Sequence, residues 1–306
     1  MMQTTFKREI TLVGMGLHSG RPARLVMHPA TSGGIRFRRV DIRDRDNVIP
    51  ALYDHVVDTT LCTRLGNEAG ATVSTVEHLM AALAGTGITH ALIDIDGPEV
   101  PIMDGSAQRF VQAILKAGLR ALPGAARAIR ILKPVQLVEG DVVAELRPAA
   151  ALSIDFEIDF SDAAIGRQGK RLSMVNGTFV HELSDCRTFC RRADIEAMQA
   201  HGLARGGSLD NAVVVDGADI LNPGGLRRSD EFVRHKMLDA LGDLALAGAP
   251  ILGAYRGVRA GHGSTNRLLR KLFATEGAWA EVALDAVAAE RLPGAGLGFA
   301  DFARAG

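Results

Sequence analysis

Little in this chain suits an oxidised, strongly charged or membrane-spanning protein. Three cysteines (Cys62, Cys186 and Cys190) in 306 residues make an odd number with no CxxC pair, which fits neither a disulfide framework nor a cysteine zinc site. A metal, if one binds, must then be held by His and carboxylates. Net charge is also missing, because 35 Lys and Arg balance 35 Asp and Glu. No overall field draws the chain to nucleic acid or to an anionic membrane, and no aromatic-basic interleaving marks a single-strand binder. Long apolar runs are absent too: the stretch from Leu241 to Leu252 is broken by Asp243, Gly248 and Pro250 and is too short to span a bilayer. The opening MMQTTFKREI has no apolar signal core, so the cytoplasm is the expected compartment.

What is present is an ordinary globular composition, 47% hydrophobic and 23% charged, in a length that suits two domains or one large one at roughly 150 residues each. Up to about Asp96 the chain runs in short apolar or alternating segments such as ALIDID (91–96) between Gly and Pro, which predicts strands and turns. Within it, STVEHLMAAL (74–83) has helical spacing, Ser74 and Glu77 match a capping box, and Gly85 stops the helix. SAQRFVQAILKAG (106–118) predicts a second helix, capped by Ser106, ended by Gly118 and striped by Phe110, Ile114 and Leu115. ALPGAA (121–126) reads as a linker with a boundary near Pro123, dividing 1–122 from 127–306. Beyond it the pattern predicts strands at 129–138, 142–146, 153–160 and 211–216, helices at 193–201 and 232–247, then a strand ILGAYRGVRA and a helix from Thr265. Residues after about Glu276 are Ala- and Gly-rich and read as a peripheral tail. The element content is α+β.

Two patterns carry chemistry: Glu77-His78 at a helix start, and His235-Lys236-x-x-Asp239 on the best helix of the chain. Positions i and i+4 share a helix face, so His235 and Asp239 can converge on one ion. With His78 they would make three protein ligands, the number a catalytic zinc site uses while leaving a fourth position open, and Glu77 beside a ligand could serve as general base. The plainer alternative is a capping Glu77 and a surface His235–Asp239 pair. Periodicity cannot bring His78 to His235. His28, His55, His90, His181 and His201 have no partner at ligand spacing and read as structural, His18 in GMGLHSG is a candidate substrate contact, and His262 alone reads as a turn histidine between glycines.

Longer blocks go further. STVEHLMAALAGTGI (74–88), PEVPIMDGSA (98–107), RTF (187–189), RGGSLDNAVVVD (205–216) and DEFVRHKMLDALGDLALAG (230–248) resemble, in order, the signature blocks of the UDP-3-O-acyl-N-acetylglucosamine deacetylases of lipid A biosynthesis, and the resemblance runs from about Phe6 to Phe273. Several long blocks in register weigh far more than one short motif. The resemblance implies two α/β sandwich domains of similar topology, each a sheet packed on a helical layer, with the active site at their interface. It implies zinc-dependent hydrolysis of the substrate's 2-acetamido group with release of acetate. By position, His78, His235 and Asp239 match the family's Zn²⁺ ligands, with Fe²⁺ an alternative ion, and Glu77 its general base. Thr188 matches a hydroxyl donor to the oxyanion, His262 a second acid/base group, Asp243 the residue that orients it, and Lys236 a contact to the nucleotide-sugar. A βαβ insert near 186–216 matches the acyl passage, with Phe189, Ile195, Met198, Ala212 and Val214 along it. Cys62, in the family-like block DTTLCTRL, is either an extra metal-facing thiol or a buried structural one. Cys190 stands where the family usually has Gly, and Gly263, Ser264 and Thr265 depart from its pattern, which bears on the shape of the passage. The implied partner is an acylated UDP-N-acetylglucosamine, with no nucleic acid, no obligate protein and at most transient contact with a membrane surface. Two other readings remain: a metal hydrolase of another acylated amine, and a binding module for a nucleotide-sugar lipid with a closed structural zinc.

Overall fold

The computed structural model describes residues 2–297 and 301. The first half is built on a five-stranded sheet in the order Ile10–Met15, Pro22–Pro29, Ala91–Ile95, Ile35–Arg39 and Val48–Pro50. All its pairings are antiparallel except that of Ile35–Arg39 with Ala91–Ile95. The strands alternate as the pleat demands: Leu25 and Met27 lie opposite Ile95 and Ile93, and all four are buried. They share a core with helices α1 (Glu77–Gly85) and α2 (Gln108–Ala117). Helix α2 is amphipathic, burying Phe110, Ile114 and Leu115 as expected, and it ends at Gly118, whose φ of 79° suits the residue type found there. Helix α1 is instead buried around nearly its whole circumference, as a central helix must be.

The second half has a seven-stranded sheet. Its main path is Val135–Glu139, Val142–Pro148, Ile251–Val258, Arg127–Ile131 and Trp279–Ala283, with Ser153–Asp159 and Arg167–Ser173 attached through Ile251–Val258. This half also carries α3 (Thr178–Glu182), α4 (Arg192–Ala200), α5 (Glu231–Ala245) and α6 (His262–Ala274). Helix α5 lies over Ser153–Asp159 and Arg167–Ser173, and α6 over Val135–Glu139 and Val142–Pro148. Helix α4 links the parallel strands Phe189–Arg191 and Val213–Asp216 in a βαβ arrangement. Helices α1 and α5 pack against each other more extensively than any other pair of described elements that are not neighbouring strands. Gly242 permits this approach, since a Cβ there would sit 2.1 Å from the Glu77 carbonyl oxygen.

The α+β class is the one expected, but several local readings need correction. The segment read as a linker is mostly strand: Leu119–Ala125 pairs antiparallel with Met2–Phe6, and Pro123 is tolerated because the two-stranded ribbon is all edge. The strand expected over 129–138 is two, Arg127–Ile131 and Val135–Glu139, parted around Pro134. Ser74 does not cap α1; its hydroxyl accepts a hydrogen bond from Arg64 Nε at 2.9 Å. Helix α6 begins at His262 rather than Thr265, with the Ser264 hydroxyl accepting from the Gly261 N–H at 2.9 Å. The supposed tail is partly integral: Trp279–Ala283 pairs with Arg127–Ile131, and Leu284 and Leu292 bury against Ala126, Ala128 and Leu252. Its remainder, 298–300 and 302–306, lies outside the described residues. Arg167–Ser173 went unread because a polar strand has no apolar alternation to announce it. No helix among the described residues is long and apolar enough to cross a membrane.

Candidate active site

Three donors meet where α1 and α5 touch. His78 is the second residue of α1, while His235 and Asp239 lie one turn apart on α5. Asp239 Oδ1 is 3.2 Å from His235 Nε2 and 3.6 Å from His78 Nε2, and the two rings meet edge-to-face at 5.0 Å. One donor atom from each of the three lies within 4.8 Å of the others, and among the described residues no other group of this kind occurs. All three are buried, at 4%, 2% and 5% exposure, and Asp239 Oδ1 has no hydrogen-bond partner among the described residues. An orphaned buried carboxylate oxygen facing two imidazoles fits a divalent cation, since buried polar atoms otherwise find partners and N/O sets of this composition suit zinc.

Protonation agrees. His235 Nδ1 donates to the Cys186 carbonyl at 3.0 Å, which turns Nε2 towards Asp239. Burial lowers this imidazole to about 4, so it is neutral. Burial opposes charge on Asp239, but His235 and Lys236 outweigh it and hold the carboxyl well below its ordinary range. Lys236 Nζ donates to Asp239 Oδ2 at 2.7 Å, and that carboxylate keeps the amine charged against the effect of its own burial. Neutral imidazole and ionised carboxylate are the ligand forms a metal needs.

Around the donors stand groups able to move protons. Glu77 opens α1; its Oε2 accepts the Thr63 N–H at 3.0 Å, and its Oε1 is 3.8 Å from His262 Nε2. Burial pushes the Glu77 carboxyl up. His262 opens α6 and its Nδ1 donates to Asp243 Oδ2 at 2.8 Å. Burial alone would lower this imidazole, but Asp243 and Glu77 raise it to about 9. At neutral pH the cleft thus presents a cationic His262 opposite the Glu77 carboxyl.

These groups open into a cleft of about 780 Å³. Glu77, His78, Thr188, His235, Lys236, Asp239 and His262 line it, as do Phe189, Ile195, Met198, Ala212 and Val214 from the insert. Thr188 is tied at both ends, its N–H donating to the Gly105 carbonyl and its own carbonyl accepting from the Val213 N–H, each at 2.8 Å. Gly105 is required there: its φ is 85°, and a Cβ would meet the Asn211 carbonyl oxygen at 2.2 Å. Phe189 stacks edge-on with Phe232 and Phe160. His18, Cys190 and Gly263 also line the cleft.

Two of the residues singled out in the sequence do not line the cleft. Asp243 lies behind its wall, hydrogen-bonded to His262. Cys62 is buried, and desolvation together with Glu77 pushes its thiol up to about 12, which keeps it protonated and unlike a thiolate ligand. Sequence reading missed Leu17, Thr59, Leu61, Phe160, Leu209 and Leu221 on the cleft wall, mostly loop residues with no periodicity. It also missed Thr63 behind that wall. A smaller cavity of about 130 Å³, lined by residues such as Leu52, Ala84, Leu241 and Ile251, has no acid, base or metal donor in its lining.

Comparison with known proteins bears on this geometry. The model of a family described as UDP-3-O-acyl N-acetylglycosamine deacetylase matches residues 3–274. A protein of Phenylobacterium zucineum (strain HLK1) named UDP-3-O-acyl-N-acetylglucosamine deacetylase is 51% identical over 280 residues, covering 91% of this chain and 96% of its own. Proteins of the same name from Haemophilus influenzae (strain 86-028NP) and Shewanella frigidimarina (strain NCIMB 400) are 46% and 45% identical, covering 90% and 93% of this chain and 92% and 94% of theirs.

Proposed function

The chain belongs to the UDP-3-O-acyl-N-acetylglucosamine deacetylase family, and from that premise we propose that it hydrolyses the 2-acetamido group of a UDP-3-O-acyl-N-acetylglucosamine, releasing acetate and a free amine for lipid A synthesis. His78, His235 and Asp239 would hold the ion, zinc or alternatively ferrous iron. The observation that carries the reading is their convergence beside Glu77 and His262 at the floor of one cleft. A two-domain division at about 122–127, with the site between the domains, and a cytoplasmic location belong to the same reading.

When bound, such an ion supplies Lewis acidity. The rest falls to the chain. Glu77, its Oε2 fixed by the Thr63 N–H, takes the proton of the attacking water, a general-base role that contributes about 10²–10⁴ in rate. The Thr188 hydroxyl donates to the developing oxyanion, where one lost donor costs on the order of 10²–10³, or roughly 2.7–4 kcal/mol. His262, cationic at neutral pH, gives its proton to the departing nitrogen as the C–N bond breaks, and Asp243 steadies the charge. Lys236 faces the cleft as a fixed cation for the nucleotide-sugar. Phe189, Ile195, Met198, Ala212 and Val214 receive the acyl chain, each buried CH₂ contributing about 0.8 kcal/mol.

The rival of a binding module with structural zinc is disfavoured by a donor group of three rather than four and by a base and an acid aimed at the same space. A hydrolase of another acylated amine would use the same machinery. Incubation with acylated UDP-N-acetylglucosamine, with acetate release measured with and without chelator, tests all three. Chelator-sensitive release is expected. Metal-replete protein that binds the substrate without releasing acetate would leave the binding module standing, and faster turnover of a different acylated amine would favour the other hydrolase.

A further inference from the structure

The Thr63 hydroxyl plays no part in the chemistry above, yet among the described residues Thr63 alone hydrogen-bonds to both Glu77 and Asp243. It is 1% exposed and directly precedes the short strand Arg64–Gly66. Its N–H donates to Glu77 Oε2 at 3.0 Å, its hydroxyl donates to Asp243 Oδ1 at 2.6 Å, and its carbonyl accepts the N–H of Val76, the residue that leads into α1. Glu77 belongs to α1 and Asp243 to α5, so one residue ties together acidic groups from two helices.

We propose that Thr63 is a positioning residue that sets the spacing between Glu77 and the Asp243–His262 pair, holding one carboxylate on its backbone N–H and the other on its hydroxyl. This role rests on the deacetylase reading and follows from hydrogen-bond capacity. A hydroxyl has one proton to give, and this one goes to Asp243 Oδ1, leaving Oδ2 for His262 Nδ1 at 2.8 Å. With both oxygens assigned, the plane of the carboxylate is fixed, and with it the tilt of the imidazole whose Nε2 stands 3.8 Å from Glu77. Bonds from a neutral donor to an ionised acceptor are short and strong, and this one is short. Without the hydroxyl, the Asp243 carboxylate keeps His262 as its only hydrogen-bond partner among the described residues, and the two side chains can swing together away from Glu77.

Thr63→Val keeps the branched shape and the N–H but lacks the hydroxyl, whereas Thr63→Ser keeps the hydroxyl. With acylated UDP-N-acetylglucosamine and metal-loaded protein, Thr63→Val is expected to lower kcat by about 10–100-fold, the usual consequence of losing an orienting partner. KM should stay within about twofold, since a defect confined to the transition state leaves binding alone, and metal content should not change. Thr63→Ser should keep kcat within about threefold of wild type, and in an Asp243→Ala background Thr63→Val should lower kcat by less than about twofold more, because the partner is gone. Thr63→Ala, which adds no bulk, repeats the comparison should valine disturb the loop. The proposal is overturned if the valine and alanine variants keep wild-type kcat, if serine fails along with them, if the loss lies in KM or metal content, or if it persists undiminished without Asp243. An inactive wild type would instead sink the deacetylase reading itself.

Discussion

His262 is charged because of what faces it. Its folded pKa of about 9 exceeds the ordinary 6.5 since Asp243 and Glu77 outweigh burial. A raised folded value contributes stability that is fully present below about 6.5 and is lost as pH rises through about 9. If this proton serves the leaving nitrogen, kcat/KM should fall on an alkaline limb near 9, and Asp243→Asn should both lower kcat and bring that limb to lower pH; a profile that does not move would remove His262 from the acid role. The acidic limb should lie above the ordinary carboxylate range, because burial raises Glu77. Glu77→Gln should reduce kcat by about 10²–10⁴ while retaining metal and fold, and near wild-type turnover would refute the assignment.

Between elements, the contact that matters is the crossing of α1 and α5. Gly242→Ala would place a methyl group 2.1 Å from the Glu77 carbonyl oxygen, and backbone cannot yield as a side-chain tip can. The expected result is a loss of about 1–3 kcal/mol in chemical denaturation, as for other overpacked sites, together with weaker metal binding. This crossing also marks the limit of what the sequence discloses. The i, i+4 pair His235 and Asp239 is legible from spacing, and α2 and α5 from their periodicity and stops. The approach of His78 is not, because it depends on how two helices pack, which resemblance to a family supplied and periodicity could not. Glu77 was misread as half of a capping box because its carboxylate is engaged by Thr63, fourteen residues away. ALPGAA looked like a linker because its pairing with Met2–Phe6 is long-range, and Trp279–Ala283 looked peripheral for the same reason.

For the molecule as a whole, the donor triad joins α1 to α5 and so joins the first half to the second. An ion held there stabilises the folded chain by mass action, about 4 kcal/mol at a thousandfold excess over Kd, so chelation should lower Tm by several degrees and zinc should restore it. His78→Ala should abolish both the chelator-induced shift and stoichiometric metal; finding stoichiometric zinc in that variant would overturn the ligand set. The placement of the donors also has a consequence in time. His78 is synthesised long before Asp239, and at about 5–20 residues per second a nascent chain carries that lone imidazole for roughly 8–30 s before its two partners exist. An ion that needs all three donors could therefore bind only once Asp239 has been made, and a chain stalled anywhere before codon 235 would carry just one of the three.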